Sequence, residues 1–260
     1  MEKVKIKLLF LGHPRHEINK NMLLGLKSKF FKVVGIESKE RLPEARKNDG
    51  YLDVEYSVAE VSSMVGSPKN GDITFAIMNY RYDDGFYLHR LSPSAVCLSI
   101  SGIDQLLISN GISLENFIIK NIYEVVALRF TLDTVCSDEA YDIVHVDTRG
   151  CLFDMNGDKF DVIYNTESPC ICNECKSFIN GKNIPEGFVA DLEKELKNIR
   201  KPLLSRVEIF IRKYPLFSIG LTLFSSFLIS VLASLFVEYL KLNIKFTDLL
   251  TSILACVTSS

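Results

Sequence analysis

From Tyr214 to Val237 the chain carries no charged residue, a run of 24 positions reading YPLFSIGLTLFSSFLISVLASLFV. A helix of that length, at about 1.5 Å per residue, covers roughly 36 Å, enough to cross a hydrocarbon core of about 30 Å. The run predicts a transmembrane helix over 214–237, and it accounts for a mean hydropathy of +0.15. Pro215 sits at the entry, where a missing N–H costs little. The small residues Gly220, Ser226, Ser230 and Ala233 either line a helix–helix seam or merely dilute the apolar run.

Flanking charge orients the span. Arg200, Lys201, Arg206, Arg212 and Lys213 precede it, and only Lys241 and Lys245 follow closely. That excess places the N-terminal side in the cytoplasm. The start, MEKVKIKLLFLGHPRHEINK, has too short an apolar run for a signal peptide and reads as a strand. The expectation is a single-pass protein of an inner or plasma membrane, its N-terminal domain cytoplasmic. Residues 181–213 read as a helical linker. Residues 238–260 read as a short apolar tail, either an interfacial helix or a second, incomplete span.

The remaining 200 or so residues can bury a core of their own. A net charge of −2 in a chain 47% hydrophobic excludes global disorder. A pI near 6.1 argues against a nucleic-acid partner. Strands are read at 4–12, 32–37, 52–57, 72–80, 86–91 and 95–100, with helices at 16–30 and 59–65. Ser113 caps a long helix over 114–130 whose apolar stripe packs on the core, leaving Lys120, Tyr123, Glu124 and Arg129 for its solvent face. The fold class is α/β, a mixed sheet with flanking helices. His13 and His16 follow the first strand, where open α/β sheets place ligands, although two loop histidines are ordinarily solvated. There is no GxGxxG and no Walker sequence.

Seven cysteines in a cytoplasmic protein require a reason other than disulfides. His145 is followed after five residues by Cys151, then after twenty by Cys172, then after two by Cys175. Two thiolates on one tight turn and a second pair upstream can close a tetrahedron, and soft thiolates with one imidazole suit Zn²⁺. Four protein ligands leave no place for water, so such a zinc is structural. Cys136 is an alternative to His145, and Cys170 to Cys172. Unliganded thiols, a redox-active CxxC and an iron–sulfur cluster using Cys136 remain the other readings of the 136–178 segment. Cys97 and Cys256 read as small apolar residues.

The order of an α/β half, a long helix and a cysteine cluster resembles the archaemetzincin branch of the metzincin zinc peptidases. That family carries HExxHxxGxxH on its active helix and a cysteine-rich second zinc site ending in CxxC. The helix here reads YEVVALRFTLD over 123–133. Glu124 matches the family's general base. Tyr123 and Ala127 stand where two histidine ligands belong, Phe130 replaces the glycine, and Asp133 holds the third ligand position. Cys151, Cys172, Cys175 and His145 match the second site. The resemblance spans about residues 70–180 and implies a zincin-like domain over 1–180 that keeps its structural metal and has lost its catalytic one.

Two classes of function follow. One is a non-catalytic regulatory, sensor or interaction module, held at a membrane and serving a protein partner that the sequence does not identify. By architectural analogy alone this is also the layout of bacterial signalling and defence effectors. The other is a membrane-tethered hydrolase acting through Glu124, with a metal held by Asp133, His89 or His145.

Overall fold

The computed structural model describes residues 2–48, 54–66, 72–199, 211 and 214–257. The chain divides into two compact units, 1–202 and 203–260.

In the first unit, β1 (Val4–Leu11) lies between two parallel neighbours, β2 (Phe31–Lys39) and β5 (Ile73–Met78). β5 pairs in parallel with β8 (Ala95–Ser99), and β7 (Leu88–Ser92) closes the edge antiparallel to β8. The sheet order is β2-β1-β5-β8-β7. A small second sheet joins β3 (Lys47–Asn48), β4 (Val54–Tyr56) and β6 (Arg81–Tyr82). All six residues of β5 are buried, as a strand covered on both faces requires. Alternation sends Ile6, Leu8 and Phe10 of β1 into the larger core, and Leu9 and Leu11 into a smaller one under α2 (Val58–Val65).

The larger core is built on α4 (Leu114–Leu132), with α3 (Ile103–Ser109) beside it. Ser113 caps α4, its Oγ accepting from the Asn116 N–H at 3.3 Å. The expected solvent face of α4 does not exist as read. Lys120, Tyr123 and Glu124 are all buried, and only Arg129 keeps substantial exposure. The reason is a second layer that sequence periodicity did not reveal: the 151–153 segment, α5 (Asp161–Glu167), α6 (Asn173–Asn180) and α7 (Phe188–Lys197) join the same core. Phe188, Leu192 and Leu196 of α7 are buried in it, where the sequence reading began a linker at 181.

The helix read at 16–30 shrinks to α1 (Lys20–Leu24). Asn19 caps it and Gly25 follows it. Phe30 is already drawn onto the sheet, its carbonyl accepting from the Val4 N–H at 2.9 Å. The 52–57 strand is present as β4, residues 52–53 lying outside the described ones.

In the second unit, α8 (Pro215–Val257) runs 43 residues without a break. Its Pro215–Glu238 part is long and apolar enough to cross a membrane by length and composition. Within it Ser218, Thr222, Ser226 and Ser234 each donate to a carbonyl one turn back, at 2.8–3.0 Å. Each hydroxyl is therefore satisfied within its own helix. The tail continues the same helix to Val257. The flanking cations Arg200, Lys201, Arg206, Arg212 and Lys213, and the side chain of Cys256, lie outside the described residues.

Candidate metal centre and the adjoining cleft

Four donor atoms, from His145, Cys151, Cys172 and Cys175, lie within 4.8 Å of one another. His145 Nε2 is 3.0 Å from Cys175 Sγ and 3.2 Å from Cys172 Sγ, and the Cys151 and Cys175 sulfurs are 3.8 Å apart. Two thiolates bound tetrahedrally at about 2.3 Å from one ion stand about 3.8 Å apart, so the cage has the dimensions of a zinc site. The donor set fits as well: three soft thiolates and an imidazole in a largely buried pocket.

Backbone pairing brings the ligands together. The Cys170 N–H donates to Gly150 O at 3.0 Å and the Leu152 N–H to Cys170 O at 2.7 Å, which lays the Cys151 strand against the approach to α6. Met155 N–H donates to His145 O at 2.9 Å and adds the third segment. Gly150 turns the chain at φ +70°, a left-handed conformation that favours glycine. Cys172 is the N-cap of α6 and Cys175 lies in its first turn, the Cys175 N–H pointing at Cys172 Sγ at 3.5 Å. Helix geometry thus sets the CxxC bite, and the N-terminal dipole favours thiolates there.

Sequence reasoning missed Asp154. This carboxylate is fully buried. Its Oδ1 meets His145 Nδ1 at 2.8 Å, and its Oδ2 accepts the Arg149 and Cys151 N–H groups at 2.9 and 2.8 Å. A carboxylate behind the imidazole fixes the tautomer that presents Nε2 to a metal. The only signal was position, three residues after Cys151, which is no motif in itself. The hydrogen bond with Cys175 holds the Cys151 thiol below its ordinary value against the opposing effect of burial, with the Phe153 and Cys172 N–H groups assisting. The same contact and burial push Cys175 up.

Cys136 and Cys170 stay outside the cage, both exposed. Cys170 Sγ rests on Gly150 O at 3.3 Å and Cys136 Sγ lies 4.0 Å from Arg90 O. Glu124 is likewise not among the clustered donors. Its Oε2 takes Lys120 Nζ at 3.0 Å, and Arg90 Nη2 stands 4.0 Å from its Oε1. Burial, the largest single influence, opposes the charge on Lys120, but Glu124, Tyr87 and Asp154 together outweigh it and the ammonium pKa is raised. His89 pairs with Asp84 at 3.1 Å and Asp133 is exposed at the end of α4, and among the described residues neither forms a metal-sized cluster of donors with Glu124. His13 is exposed, while His16 Nε2 lies 3.7 Å from the buried carboxylate of Asp104.

Glu124 and Asp154 both face a cleft of about 330 Å³ between β7, α4 and the 136–144 segment, walled by Phe86, Tyr87, Tyr141 and Phe153.

No protein-family model matches this chain, and no curated protein matches it. Among solved structures it is similar to an archaemetzincin from Methanopyrus kandleri, with a TM-score of 0.44 and 14% identity over 69% of this chain and 94% of that one. That is the family whose pattern the sequence resembles.

Proposed function

We propose that this chain is a membrane-anchored zinc-binding module whose metal is structural and whose cleft binds a partner or ligand without catalysis. The observation that carries the reading is the cage of His145, Cys151, Cys172 and Cys175. Four protein donors complete the coordination of Zn²⁺ and leave no site for an activated water. The role of such a metal is to fasten the 145–178 segment, which forms one wall of the cleft.

The charges in the cleft support a non-catalytic reading. Glu124 has Lys120 and Arg90 beside it, so its carboxylate faces cations already in place, and among the described residues it belongs to no cluster of donors that could hold a metal. Anchoring rests on Pro215–Glu238, and the cytoplasmic placement of the soluble unit rests on the five cations that precede the span.

Metal analysis of the purified full chain, with Glu124→Gln and Cys172→Ser beside it, tests the reading. One zinc per chain, kept in Glu124→Gln and lost in Cys172→Ser, with no peptide hydrolysis by any of the three, is the expected result. Hydrolysis that disappears in Glu124→Gln would replace this reading with the enzyme.

A further inference from the structure

The cleft contains one charged group whose hydrogen-bonding capacity is unspent. Arg90 lies on the edge strand β7 with its side chain only 16% exposed. Among the described residues its one ion-pair partner is Glu124, at 4.0 Å, too far for a hydrogen bond. Among the described residues its guanidinium donates to nothing. A guanidinium offers five donors in a planar fork, and here the fork belongs to the lining of the cleft.

The other charges of the cleft are engaged. Glu124 gives Oε2 to Lys120 at 3.0 Å. Asp84 holds His89 at 3.1 Å and accepts the Phe86 N–H at 3.1 Å. Both oxygens of Asp154 are taken by His145, Arg149 and Cys151. Asp138 is exposed at the mouth. Arg90 therefore faces the cavity as the group that a ligand would satisfy.

We infer that the cleft binds a carboxylate carrying an apolar, aromatic-sized body, with Arg90 as its anchor. A carboxylate matches the fork bidentately. Four acidic residues line the same cavity, and their repulsion grows with ligand charge, so a dianion such as a phosphate monoester is disfavoured more than a monoanion held by Arg90. The apolar body lies against Phe86, Tyr141 and Phe153, and 330 Å³ is at the small-ligand end of binding cavities. Either a free organic acid or the carboxyl end of a peptide presents this chemistry. The inference rests on the cleft being a binding site rather than a catalytic one, as proposed above.

The test is calorimetric titration of the full chain in nanodiscs with 3-phenylpropanoate, its primary amide and phenyl phosphate. A capped pentapeptide ending in phenylalanine, as free acid and as amide, forms a second arm. Saturable binding of an acid about tenfold or more tighter than its own amide is expected, from the worth of a charged hydrogen bond. Arg90→Gln should abolish that preference while leaving zinc content unchanged, and Arg90→Lys should restore part of it. Preference confined to the small acid identifies a free acid as the ligand, and preference shown by the pentapeptide identifies a chain end. Equal binding of acid and amide, stronger binding of phenyl phosphate, no saturable binding of either carboxylate, or an unchanged preference in folded Arg90→Gln would each overturn the inference. If Arg90→Gln does not fold, the acid-to-amide ratio of the unaltered chain decides. Zinc is assayed on the same samples. Zinc present without acid selectivity refutes this inference alone, whereas zinc absent refutes the function proposed above.

Discussion

His145 and Asp154 meet at 2.8 Å between Nδ1 and Oδ1, and that bond joins the metal cage to the cleft. Asp154 belongs to both. Its second oxygen organises the Arg149–Cys151 turn that carries a ligand, and the residue is also part of the lining of the cleft. Loss of the metal should therefore be felt in the cleft, 3-phenylpropanoate binding included.

Asp154→Asn should weaken zinc about 10–100-fold without removing a ligand, the usual cost of losing a carboxylate behind a metal-bound histidine. Competition against a chromophoric chelator measures it. An unchanged affinity would show that Asp154 supports only the backbone turn.

Cys172→Ser should remove the metal and open residues 145–178 to protease while leaving α4 and the large sheet protected. The segment contributes few large buried side chains, chiefly Leu152, Phe153 and Val162. Its ordering entropy, about 1–2 kcal/mol per residue, is therefore offset mainly by the metal. Hydrogen exchange resolved by peptide checks this, and uniform loss of protection across 4–130 would contradict it.

Acid should release the metal before it unfolds the sheet. Zinc requires thiolates and a neutral imidazole, so protons compete increasingly as pH falls, and affinity declines with pH rather than rising. Zinc release and near-ultraviolet circular dichroism, followed together during acid titration, should separate, with release first. Simultaneous transitions would show that the metal holds the whole domain.

Glu124→Gln should destabilise the soluble unit by about 3–5 kcal/mol, because it strands the fully buried Lys120 ammonium. The double replacement Lys120→Met with Glu124→Leu should recover most of that loss, since an apolar pair of similar volume is often neutral there. Denaturant unfolding of the full chain in micelles gives both values. A Glu124→Gln protein as stable as the unaltered one would mean that water reaches Lys120.

The full chain should sediment with membranes and require detergent for release. Protease added to intact cells should spare residues 1–199. Recovery in the soluble fraction would remove the anchor, and cleavage from outside would reverse the orientation.

The parts of this molecule legible in sequence are those governed by local pattern. The uncharged run to Val237, the alternation of β1, the Ser113 cap and the 145/151/172/175 spacing each obey a short-range rule. The strands read at 86–91 and 95–100 are present as β7 and β8, an antiparallel pair. What escaped depended on distant chain. Lys120 and Glu124 look like a solvent face in sequence because α5, α6 and α7, which join the core that α4 belongs to, are too short for a clear period. Asp154 and Arg90 are ordinary surface-type residues in sequence, and tertiary packing alone makes one a support for a ligand and the other a lone donor in a cavity. Periodicity from Ile18 to Leu26 suggested a long helix, but pairing of Phe30 with β1 outweighed propensity.

X-ray absorption at the zinc edge, on the purified full chain with metal content determined in parallel, tests the central claim most directly. One zinc per chain in a first shell of three sulfurs at about 2.3 Å and one nitrogen at about 2.0 Å, with no water oxygen, is the predicted result. A chain that purifies without zinc, or a shell containing oxygen and fewer than three sulfurs, would contradict it.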